Sequence, residues 1–132
     1  AMDSFRPYAN ITPGTVRGDN DHTAEAAAFA DYDAGNFAAA EEKLAALPNR
    51  SVNRFYLGQT LLAQGKFEEA QRVFLELWRQ PEFALSKESQ YFWGLAQLGL
   101  GNVADAKHEL TQIARDKQHP MQEEAEALLA KM

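Results

Sequence analysis

No cysteine occurs in the 132 residues of this chain. That excludes a disulfide framework and thiolate metal sites and leaves the redox compartment open. No run of ~18 apolar residues is present either, so no stretch reads as a membrane span. Basic clusters are missing: 13 Lys and Arg stand scattered against 19 Asp and Glu, for a net charge of −6. Such a surface repels phosphate backbones, and nucleic acid is not an expected partner. Each glycine stands alone, which leaves no phosphate-cradling loop. His22, His108 and His119 are far apart, with no i,i+4 ligand partner of the kind a zinc helix needs. The acid pairs Glu41-Glu42, Glu68-Glu69 and Glu123-Glu124 fall near expected helix starts, where they complement the backbone dipole and face water. General acid or base work would need a carboxylate sunk in an apolar cleft. No catalytic residue, cofactor or metal is therefore expected, and the chain does not read as an enzyme. Asn10-Ile11-Thr12 and Asn49-Arg50-Ser51 match glycosylation acceptors, which matter only in a eukaryotic secretory setting.

What is present is apolar and periodic. Apolar residues make up 45% of the chain and aromatics 11%, enough for one folded domain with a real core. Residues 1–20, "AMDSFRPYANITPGTVRGDN", show no helical period and read as an extended arm or linker. Phe5, Tyr8, Ile11 and Val16 in that arm are expected to dock on the body, because aromatics stranded in solvent are unusual in a linker. Ala1 ahead of Met2 is the order that a cloning remnant leaves, so native residues upstream are expected to have been removed.

From about Thr23 the pattern turns helical and repeats: "GNFAAAEEKL" from Gly35, "GKFEEAQRVF" from Gly65 and "GNVADAKHEL" from Gly101. Offsets of 0, 3, 7 and 10 place Phe37, Ala40, Leu44 and Leu47, then Phe67, Ala70, Phe74 and Leu77, then Val103, Ala106, Leu110 and Ile113 on one helical stripe. Seven residues before each turn glycine stands a small residue, Ala28, Gly58 or Gly94, which lets a second helix approach. Each unit is thus a helical hairpin, and because one hairpin cannot cover both of its apolar faces, units must stack. The hairpins are predicted at about 21–48, 51–80 and 87–116 within a domain of 21–132. Pro48 and Pro81 stop helices between them, and Ser51 and Ser86 are suited to cap the next. "HPMQEEAEALLAKM" predicts a seventh helix at about 120–131 that caps the stack, with Pro120 in its first turn.

These residues resemble the tetratricopeptide repeat. "FYLGQTLLAQGKFEEAQRVF", from Phe55 to Phe74, follows its Leu-Gly, Gly-x-aromatic and Ala positions; Trp93, Gly94, Gly101 and Ala106 carry a second copy. The first copy departs, with Ala27-Ala28 for Leu-Gly and Asp31 at an apolar position. The likeness covers about 23–116 and implies an all-α, right-handed α-helical solenoid of three hairpins plus a capping helix, with first helices lining a concave protein-binding surface. The stretches flanking the repeats also look like those of extracytoplasmic repeat domains that follow a single membrane span in Bacteroidetes-type bacterial proteins. That likeness implies a periplasmic domain tethered through an anchor upstream, itself soluble.

The stripe that the family turns toward its groove holds Glu25, Phe29 and Tyr32, then Phe55, Gln59 and Leu62, then Tyr91, Leu95 and Leu98, at offsets 0, 4 and 7. Cations are almost missing, so the family's clamp for a partner's terminal carboxylate is not expected: Glu25, Phe29 and Glu88 stand where its cationic groups would be wanted. Phe29, Tyr32, Phe55, Gln59, Leu62, Tyr91 and Leu95 are the expected partner-binding residues, for a protein or peptide offering a helical or extended apolar segment. The competing expectations are that neighbouring helices or the arm itself cover this face, or that it serves self-association.

Overall fold

The computed structural model describes residues 5–10 and 23–132. Among them every regular element is an α-helix: α1 (Thr23–Ala34), α2 (Phe37–Ala46), α3 (Ser51–Ala63), α4 (Phe67–Trp78), α5 (Ser86–Gly99), α6 (Val103–Ala114) and α7 (Gln122–Ala130). The all-α class expected from the sequence is what is seen. No helix among the described residues is long and apolar enough to cross a membrane. Ile11 and Val16, expected to dock, lie outside the described residues, as do His22 and the Ile11-Thr12 part of the first glycosylation triplet.

The repeated glycine makes one turn three times. Gly35, Gly65 and Gly101 have φ of 82°, 76° and 85°, a left-handed conformation that a Cβ would strain. Each donates its N–H three residues back, to Tyr32, Leu62 and Leu98, and the next residue donates five back, to Asp31, Leu61 and Gln97. This pair of bonds satisfies the orphan carbonyls of a helix end and reverses the chain in two residues.

Three local expectations are corrected. Ser51 and Ser86 are first helical residues rather than caps; Arg50 and Leu85 hold the cap positions and make no side-chain cap bond. Ser86 is instead buried, and Ser89 Oγ donates to the Leu85 carbonyl. Pro120 lies in the turn before α7, whose cap is Met121, rather than in the first helical turn. Val103, on the expected buried stripe, is 47% exposed, whereas Ala106, Leu110 and Ile113 on the same helix are buried.

The chain divides into two compact units, one holding residues 6–66 and the other residues 67–132 together with Phe5. In the first, α1 packs on α2 and α2 on α3. Its core centres on Tyr56, which meets Phe29, Tyr32 and Phe55 edge to face at 5.3, 5.2 and 5.3 Å. That is the geometry in which positive ring edges meet negative ring faces. Glu41 on α2 accepts from Lys66 Nζ at 2.9 Å and Gln64 Nε2 at 2.8 Å, tying the end of α3 to α2. Glu41 was expected simply to face water. The Lys66 bond instead holds its carboxyl below the usual range, against some desolvation, with Gln64 adding to the effect.

In the second unit, α4 packs on α5, α5 on α6 and α6 on α7. Phe74 and Phe92 lie 5.5 Å apart in its core, and Phe5 meets Phe92 edge to face at 6.5 Å. The tightest approach is at Gly99, where a Cβ would stand 2.5 Å from the Phe67 ring. At Gly94, by contrast, a Cβ would find Leu110 at 3.6 Å, an ordinary contact. α7 is docked through His119: the Met121 N–H donates to Nδ1 at 3.1 Å, so Nε2 carries the proton and donates to Gln90 Oε1 at 3.1 Å. Gln90 Nε2 in turn donates to Glu109 at 3.0 Å.

Candidate functional site

All seven expected partner-binding residues are buried. Phe29, Tyr32, Phe55, Gln59 and Leu62 belong to the unit of residues 6–66, and Tyr91 and Leu95 to α5 in the other. Phe29, expected as an anchor near an open end, is 1% exposed. The reason lies in α1, "TAEAAAFADYDA": Phe29 and Tyr32 are its only large apolar side chains, so most of the apolar surface with which the helix can join the core is theirs. Leu62 is 2% exposed, inside the same core. On α5, Tyr91 stacks edge to face on Phe92 at 5.2 Å, and burial, aided by the Glu124 charge, pushes its hydroxyl up to about 12.

Tyr32, Phe55 and Gln59 do come together, around residues of the arm. Residues 6–10 run without helical or strand structure along α1 and α3. Gln59 Oε1 accepts the Tyr8 N–H at 3.1 Å, the Tyr32 hydroxyl donates to the Tyr8 carbonyl, and the Tyr56 hydroxyl donates to the Ala9 carbonyl at 2.8 Å. The Tyr8 ring meets Phe55 edge to face at 5.2 Å. At the far end Asn10 Nδ2 donates to Asp33 Oδ2 at 3.3 Å. Three backbone groups are thus held by side chains that read no sequence, while one aromatic side chain is held by an aromatic. The Tyr32 hydroxyl remains a donor at any ordinary pH, since burial first, then Tyr56 and the Asp33 charge, raise its pKa far above the phenol range.

Gln59 is fully buried, and its Nε2 has no hydrogen-bond partner among the described residues. A flipped amide would set Nε2 against the Tyr8 N–H, two donors facing, so the orientation is fixed by chemistry. Leaving such a donor unmet costs about 1–3 kcal/mol.

Tyr56, which holds the Ala9 carbonyl, is the arm contact that the helical stripe missed. The stripe runs through Phe55, Gln59 and Leu62, and Tyr56 sits one residue off it. Its signal was the Phe55-Tyr56 doublet, two aromatics that a single narrow stripe could not both hold. Among the described residues no three His, Asp or Glu side chains gather as a metal would require. No protein-family model matches the chain, and no curated protein shows significant similarity to it.

Proposed function

We propose that this chain is a protein-interaction module of tetratricopeptide-like hairpins that binds an extended, aromatic-bearing segment of a partner on the face of Tyr32, Phe55, Tyr56 and Gln59. The observation that carries the reading is the arm: residues 6–10 lie there with the backbone of Tyr8 and Ala9 held by three side chains. A surface that grips main-chain N–H and C=O groups of a non-helical segment, and offers one aromatic contact, has the chemistry of peptide recognition.

The grip is near balance, which is what makes exchange feasible. Each backbone bond contributes about 1 kcal/mol net and burial of the Tyr8 ring about 2 kcal/mol. Against these stands an ordering cost of about 1–2 kcal/mol per residue. An equally matched segment from another chain therefore competes, and one that also met Gln59 Nε2 would gain. The likeness of the flanking stretches to extracytoplasmic repeat domains supports reading the site as lying outside the cytoplasm.

The test is a labelled synthetic peptide of residues 5–10, FRPYAN, titrated by fluorescence anisotropy against the whole chain carrying Tyr8→Ala. Saturable binding is expected, weaker to the unaltered chain and weaker again when Gln59→Leu removes the acceptor. No binding to the Tyr8→Ala chain would end the proposal.

A further inference from the structure

Beside the bound arm lies a cavity of about 250 Å³ lined by Pro7, Tyr8, Ala9, Asn10, Tyr32, Asp33, Gly35 and Phe37. Its residues all belong to the unit of residues 6–66. Three features give it a character. Tyr32 and Phe37, meeting edge to face at 5.9 Å, supply aromatic wall. The Asp33 carboxylate stands at its edge, reached by Asn10. It also adjoins the carboxyl end of α1, where the backbone dipole is negative and the last turn carries no basic residue. The neighbouring acid Asp31 is occupied by Lys43 and Asn36. Among the described residues, none beyond its own chain neighbours comes within 4 Å of where a Cβ on Gly35 would stand.

We propose that this cavity receives the cationic side chain of Lys or Arg, carried by the bound segment two residues after its aromatic, and that Asp33 is the residue selecting it. The inference rests on the segment-binding reading and adds the partner's chemistry to it. Asn10 stands at that position in the arm and reaches Asp33 with a short neutral amide. A longer side chain from the same place lays its methylene stem on Tyr32 and Phe37 and sets its charge at the carboxylate and the helix end, where aromatic faces favour a cation as well. Arg fits better than Lys, because its planar fork meets a carboxylate with two parallel bonds.

The experiment needs no identified partner. Four whole chains are melted: unaltered, Asn10→Arg, Asp33→Asn and the double variant. Asn10→Arg is expected to raise the unfolding midpoint by about 3 °C, and by less than about 1 °C when Asp33→Asn is present. The gain should also shrink in high salt. No rise, or an equal rise with and without the Asp33 carboxylate, overturns the assignment. In parallel, FRPYAN and its Asn10→Arg form are titrated against the Tyr8→Ala chain, where the Arg peptide is expected to bind several-fold tighter; parity between the two overturns the assignment as well. If neither peptide binds, the segment-binding reading fails, while the four melts still decide the cavity.

Discussion

At the scale of residues, small side chains decide more than the repeat pattern suggests. The sequence marks Gly94 as the position where helices approach, yet a Cβ fits there at 3.6 Å from Leu110. Gly94→Ala is expected to stabilise by about 0.5–1 kcal/mol, since alanine is the better helix former. Ala28, fully buried at the equivalent place in the first copy, already has that methyl. Gly99 is the opposite case: an added methyl would press on the face of the Phe67 ring at 2.5 Å, and Gly99→Ala should cost about 1–3 kcal/mol. Urea denaturation of both variants checks the contrast, which would fail if the two effects had the same sign. Phe29→Ala belongs with core truncations, at about 3–5 kcal/mol, because the ring is buried against Tyr56. Tyr56→Phe keeps the ring cluster and removes the bond to the Ala9 carbonyl, a loss of about 1 kcal/mol. Hydrogen exchange following it should quicken at arm amides and not in α3.

At the scale of elements, α7 is held through a titrating group. Burial lowers the His119 pKa from its ordinary 6.5, opposed by the Asp116 charge and a Lys87 backbone bond and aided by the Lys87 charge. Glu109 lies one step further, through Gln90. A second proton would place a donor on Nδ1 against the Met121 N–H. As pH falls, the unfolded chain binds that proton first, so this contribution is complete above 6.5 and is lost as pH drops through the lower folded value. The melting temperature should therefore decline on acidification below about pH 6.5, before the carboxylates titrate, and His119→Gln should flatten the decline. An unchanged slope in that variant would place the pH sensitivity elsewhere.

What could be read from the sequence divides along the same lines. Turns were legible, because a lone glycine followed two residues later by an apolar helical stripe has one physical solution, and Gly35, Gly65 and Gly101 adopt it. Buried stripe positions such as Ala40, Phe74 and Leu110 were legible for the same reason. Exposure on the other face was not. Periodicity says which residues share a side of a helix, but it cannot say whether something lies across that side. Only the placement of Tyr8 and Ala9 shows that Tyr32 and Gln59 already hold a segment, and only atomic distances show that Gly99, rather than Gly94, is the close approach.

At the scale of the whole molecule, the large hydrophobic side chains most exposed among the described residues are Leu100, Val103 and Met132. A net charge of −6 opposes close approach of copies. Sedimentation velocity at two concentrations is expected to give one unchanging monomer peak. A concentration-dependent shift would favour the self-association alternative.

The aromatic cluster around Tyr56 has a consequence for light. Both tryptophans, Trp78 and Trp93, fall in the unit of residues 67–132, while Tyr8, Tyr32 and Tyr56 fall in the other. Indole emission excited at the red edge thus reports on one half of the chain, and near-ultraviolet phenol dichroism, to which Tyr91 of the first half also contributes, is weighted toward the other. The protein carries its own two-colour thermometer, by which melting of the halves can be followed apart without any added dye.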